Sequence, residues 1–142
     1  MAASFQEVGV KYSLDGLTGN TFEALRLLAH AEKAGGAVMQ DKLMDVLFLD
    51  YFERARHVAD PEVLLAAALA VGVPDAQRVL SDPEWMKEET VSQMKHFGRG
   101  VRGVPYFIIS GGTRLCGAQP TEAWEEIIEQ ELEKAGRNKV SY

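Results

Sequence analysis

Residues 103–109 read Gly103-Val104-Pro105-Tyr106-Phe107-Ile108-Ile109, a proline set directly ahead of an aromatic and β-branched run. Such side chains fit a pleated, half-buried surface, so Tyr106–Ser110 is expected to be a strand. Proline has no N–H, which suits the first position of a strand and leaves neighbouring backbone groups able to pair elsewhere. On residue chemistry alone the Val104-Pro105 bond is open to both isomers. A trans bond simply ends the glycine-rich loop Gly98-Arg99-Gly100-Val101-Arg102-Gly103, whereas a cis bond folds the chain sharply. Downstream, Gly111-Gly112 predicts a two-residue hairpin turn and Thr113-Arg114-Leu115-Cys116 the returning strand. Gly117-Ala118-Gln119 then leads into a helix from about Pro120 to Ala135. Trp124, Ile127, Ile128 and Leu132 form its expected buried side, opposite a solvated face of Glu125, Glu126, Glu129 and Glu133.

Upstream, residues 20–98 carry helical patterning throughout. Asn20, with Glu23 three residues on, predicts a capping box. Phe22, Leu25, Leu28 and Ala29 follow until Gly35-Gly36 stops the run. A second helix is expected over 37–54, with Met39, Leu43, Val46 and Leu47 on one face. Asp60-Pro61 opens a third, in which Leu64-Leu65-Ala66-Ala67-Ala68-Leu69 is apolar nearly all round and so expected to be well buried, and Gly72 ends it. A short fourth follows Pro74-Asp75, and Asp82-Pro83 caps a fifth that runs to Gly98. Before all of these, Val8, Val10 and Tyr12 alternate as in a short strand.

The chain has 142 residues, 46% hydrophobic and 25% charged, as expected of a globular domain. One domain is the default at this length. Its net charge of −6, without a Lys/Arg run, argues against nucleic acid as the main partner. A single cysteine, Cys116, excludes a disulfide framework, a Cys-rich zinc site and a C-x-x-C pair. No apolar run approaches the roughly 20 residues of a membrane span, and residues 1–7 lack the features of a signal peptide. The expectation is a soluble, cytoplasmic protein.

Taken together, Gly103–Ile109 and Leu115-Cys116-Gly117-Ala118-Gln119-Pro120 followed by an amphipathic helix resemble the C-terminal half of the DsbA family. The FrnE-like branch, itself similar to 2-hydroxychromene-2-carboxylate isomerases and kappa-class glutathione transferases, is the nearest match. Gly19-Asn20-Thr21-Phe22-Glu23-Ala24-Leu25-Arg26-Leu27 and Tyr51-Phe52-Glu53 resemble the helical domain which that family inserts into a thioredoxin fold. The resemblance covers residues 8–134. It implies an α/β, partial thioredoxin-like fold: a β-hairpin plus C-terminal helix with a large helical insertion, the N-terminal β-α-β unit missing. The corresponding divisions are an N-terminal strand and turn (1–19), a helical insertion (20–98), the C-terminal half of a thioredoxin-like domain (99–136) and a tail (137–142).

The resemblance further implies that Val104-Pro105 is a cis-proline loop, with Gly103, Val104 and Pro105 binding substrate. That substrate is a protein or a glutathione-like thiol, making glutathione the one small molecule to consider. Two departures stand against the match. No residue maps onto the family's nucleophile, so no catalytic residue is assigned, and Leu25 stands where FrnE-like sequences usually carry histidine. A thiol–disulfide cycle needs an attacking thiolate and a resolving thiol, and one cysteine cannot be both within a chain. Three readings therefore stay open: a thiol–disulfide oxidoreductase lacking C-x-x-C here, a glutathione-dependent isomerase or transferase relative, and a truncated, non-catalytic interaction module. The strand at Tyr106–Ser110 would expose a hydrophobic edge, to be covered by Val8–Tyr12, by another polypeptide, or by a second copy in a homodimer.

Among remaining residues, Cys116 reads first as a small buried hydrophobe and second as a reactive thiol, with Arg114 on its strand face. His30, His57 and His96 lack metal-ligand spacing and read as surface or packing residues; no metal site is expected. Arg54, Arg56 and His57 read first as a solvated helix end and second as a cluster able to meet an anion. Arg99 and Arg102 flank the proline loop and match a carboxylate ligand there. Met39, Met44, Met86 and Met94 read as core filler.

Overall fold

Gly36 takes φ 70° and ψ −172°, a conformation that favours glycine, and there the longest helix is interrupted. In the computed structural model, which describes residues 2–7, 9–13, 15–109 and 112–137, that helix is α2 (Phe22–Phe52), its two arms meeting at this glycine. The other elements are α1 (Ala2–Glu7), α3 (Pro61–Val71), α4 (Ala76–Ser81), α5 (Lys87–Phe97), β1 (Tyr106–Ile109), β2 (Thr113–Cys116) and α6 (Thr121–Arg137). The chain divides into two compact units, Met1–Phe97 and Gly98–Tyr142.

In the first unit, Asp60 Oδ1 accepts the Glu62 N–H at 2.9 Å, Pro61 sits at the first turn, and Gly72 closes α3 at φ 79°. The capping box at Asn20 is only half formed. Asn20 Oδ1 accepts from the Phe22 N–H at 2.9 Å, while Glu23 pairs with Arg26 instead of turning back. The helix expected from Asp82-Pro83 begins later, at Lys87. Asp82 caps the Glu84 N–H at 3.0 Å, but Met86 at φ 60° breaks the helical path, and the Trp85 carbonyl is taken by Arg26. Leu27, Leu43, Leu64, Ala68 and Val79 make the core between α2, α3 and α4. The apolar run of α3 is buried on one side only, since Leu69 is 67% exposed. Met39 and Met44 pack on the core, whereas Met94 is exposed on α5.

Two polar side chains lock this unit. Arg26, wholly buried, donates from Nε to the Trp85 carbonyl at 2.8 Å and from its terminal nitrogens to the carbonyls of Val79 (2.6 Å) and Asp82 and to Glu23. It thereby ties the α4–α5 connection to α2. His30 accepts the Trp85 indole N–H at Nδ1 (3.3 Å), and because indole only donates, Nε2 carries the proton toward the Pro74 carbonyl at 2.9 Å.

The expected N-terminal strand is not formed over residues 9–13; Val8 lies outside the described residues. Residues 2–7 are helical instead. The Phe5 ring stacks on Tyr12 at 4.5 Å, and both lie against Phe52, so aromatic packing on α2 replaces strand pairing.

In the second unit β1 and β2 pair antiparallel, with Tyr106 opposite Cys116 and Ile108 opposite Arg114. Ser110 and Gly111, where the strand end and part of the hairpin turn were expected, lie outside the described residues. Helix α6 covers one face: Trp124 meets Phe107 edge to face at 4.7 Å, and Thr113 donates to Glu131 at 2.8 Å. Ile128 and Leu132, expected to be buried, are 49% and 66% exposed. Two strands form a platform only about 5 Å between strand axes, too narrow to cover the whole apolar side of α6.

Candidate functional site

The glycine-rich loop and the end of β2 are held together by three contacts. The Gly117 N–H donates to the Pro105 carbonyl at 2.8 Å, Cys116 Sγ lies 3.7 Å from the Gly103 carbonyl oxygen, and Tyr106 pairs with Cys116 across the ladder. Gly117 makes the departure from β2 at φ 83°, where a side chain is strained. The Val104-Pro105 bond is cis. Val104 is 83% exposed, and its backbone N–H and C=O have no hydrogen-bond partner among the described residues. Beyond it, β1 pairs with β2 alone among the described residues, leaving its second edge unpaired.

The structure thus brings Gly103, Val104, Pro105 and Cys116 together. It also corrects the first reading of Cys116: the thiol is exposed rather than buried. Alternation explains this. Phe107, Ile109, Thr113 and Leu115 point to the α6 side, so Tyr106, Ile108, Arg114 and Cys116 point away from it. Arg114 shares that outer face with the thiol. Arg99 and Arg102 are exposed in the same unit and form no ion pair among the described residues.

Other singled-out residues do not join this cluster. His30 packs as described, His57 contacts the Leu17 carbonyl at 3.2 Å, and His96 lies edge to face with Phe97. Arg54 and Arg56 are not a merely solvated helix end. Both pair with Asp50, 1% exposed, at 2.8 and 3.5 Å, and so neutralise a buried carboxylate. Sequence reasoning passed over Asp50 and Arg26. The signal for Arg26 was a charge enclosed by apolar neighbours, Leu25-Arg26-Leu27-Leu28. Among the described residues no group of His, Cys, Asp and Glu is placed to hold a metal ion, and no helix is long and apolar enough to cross a membrane.

A family model described as a DSBA-like thioredoxin domain matches residues 1–129. No curated protein matches the chain.

Proposed function

The chain belongs to the DSBA-like thioredoxin domain family, and on that premise we propose that it serves thiol–disulfide exchange, with Gly103–Pro105 and the outer edge of β1 holding the substrate. Its mixed α/β architecture, mostly helical with a two-stranded antiparallel sheet, is a partial thioredoxin-like fold. One observation carries the proposal: Val104 combines an exposed side chain with an unpartnered main-chain donor and acceptor, immediately ahead of an unpaired strand edge. Backbone groups of that kind pair readily with an extended chain, which adds a strand. The substrate class is a cysteine-bearing polypeptide or a glutathione-like thiol. Arg99 and Arg102 match the carboxylates of the latter.

Cys116 is the thiol the chain itself contributes to this face. As a thiolate it attacks a substrate disulfide, so that one S–S bond forms as another breaks and one substrate thiolate leaves. A thiolate of the glutathione class then attacks the substrate-side sulfur and releases Cys116, completing an exchange without net oxidation. The second thiol comes from that co-substrate. The finer placement in the FrnE-like branch rests on Gly103–Ile109 and Leu115–Pro120. A cytoplasmic location fits a chain whose single cysteine needs no oxidising compartment to fold.

Titration calorimetry with an extended peptide carrying a blocked cysteine tests the binding half. Val104→Ala keeps the main-chain groups and is expected to bind within a few-fold of the parent. Val104→Pro removes the N–H and is expected to bind at least tenfold more weakly. Equal affinity for all three would contradict the proposal. A homodimer along the β1 edge would compete for the same groups and would show as peptide affinity falling with protein concentration.

A further inference from the structure

We propose that the helical unit holds a binding site for a neutral, largely apolar small molecule, in the cavity between the two arms of α2. The cavity has a volume of about 380 Å³. Small-molecule sites span roughly 300–1,000 Å³. Leu25 and Leu28 of the first arm face Met44, Leu47 and Phe48 of the second, and Tyr51 and Phe52 extend the aromatic side.

The lining selects the ligand's chemistry. It contains no Asp, Glu, Lys, Arg or His, so an ion placed there would lose its hydration without a counter-charge. Its polar side chains are the hydroxyls of Thr18, Thr21 and Tyr51, none of which has a hydrogen-bond partner among the described residues. Thr21 stands at the N-cap position of α2 yet its side chain does not cap the helix. Apolar walls with a few hydroxyls fit an apolar, uncharged body carrying one or two hydrogen-bonding atoms.

The aromatic wall is fixed from behind. Phe52 packs against Phe5 and Tyr12 at 6.3 and 6.1 Å, and Phe48 meets Phe52 edge to face at 5.7 Å. Phe48 remains 53% exposed despite these contacts. The site lies wholly within Met1–Phe97 and does not depend on the reading of the hairpin.

Two dyes that share one body but differ in charge test this directly. N-phenyl-1-naphthylamine is neutral with one N–H, and 1-anilinonaphthalene-8-sulfonate is its sulfonated counterpart. Fluorescence titration of the full chain is expected to show saturable, one-to-one binding of the neutral dye, at least tenfold tighter than the anion. Leu25→Trp and Met44→Trp, which fill the cavity from opposite arms, are each expected to weaken the neutral dye at least tenfold while the chain still melts cooperatively. Equal or tighter binding of the anion by the parent chain would overturn the proposal without any variant. Unchanged neutral-dye affinity in the two folded variants would also overturn it. So would dye affinity that falls as protein concentration rises, which would assign the cavity to a second copy of the chain.

Discussion

Cys116 Sγ lies 3.7 Å from the carbonyl oxygen of Gly103, so the thiol and the proline loop form one surface although 13 residues separate them. A Cβ on Gly103 would sit 3.5 Å from that sulfur, an ordinary contact, whereas Gly117 at φ 83° has a conformation that L side chains rarely adopt. Gly103→Ala is therefore expected to change stability by less than about 0.5 kcal/mol and Gly117→Ala to lower it by about 1–2 kcal/mol. Urea denaturation of the two variants measures the difference. Equal losses would contradict the local geometry.

Exposure of Cys116 on the face away from α6 makes its thiol available. One equivalent of Ellman's reagent is expected to react with the native chain at a rate within about tenfold of a free cysteine, since access rather than unfolding controls the reaction. Reaction only after denaturant is added would place the sulfur in a buried setting.

Much of this architecture is legible in the sequence, and the exceptions have physical causes. Asp60-Pro61 and Gly72 bound α3 because each satisfies helix-end groups locally. Gly36 interrupts α2 for an equally local reason. The Asp82-Pro83 pattern places the start of α5 too early because Arg26, 59 residues upstream of Trp85, claims that carbonyl. Alternation over Val8–Tyr12 predicts a strand but says nothing about Phe52, whose ring draws Phe5 and Tyr12 into a stack. At the site, Gly103–Pro105 stood out as a proline ahead of a strand. The exposure of Cys116 follows from ladder register and from which face α6 covers, which no local pattern contains.

Arg26→Met removes the donors to the carbonyls of Val79, Asp82 and Trp85; the Asp82 carbonyl keeps the Trp85 N–H at 3.1 Å, while those of Val79 and Trp85 lose this partner in a buried and a half-buried setting. Each unsatisfied group costs about 1–3 kcal/mol, so a loss of at least about 2 kcal/mol is expected, a large share of the stability of a domain. Denaturation followed by tryptophan fluorescence checks this. An unchanged midpoint would mean that Arg26 is not the tie between α2 and the α4–α5 connection.

Because Trp85 can only donate to His30, the neutral imidazole carries its proton on Nε2. Nitrogen NMR of the ring is expected to show a protonated Nε2 and an unprotonated Nδ1. The opposite tautomer would contradict the Trp85–His30–Pro74 chain of contacts.

The substrate-binding role of Gly103–Pro105 and β1 is tested most directly by nitrogen-15 NMR of the chain carrying Cys116→Ser, which separates binding from exchange. Titration with an extended, cysteine-bearing peptide is expected to shift the amides of Val104, Tyr106 and Ile108 in a saturable way, leaving α3 unmoved. Saturable binding that leaves these three amides in place would contradict the account, as would the absence of binding at millimolar peptide.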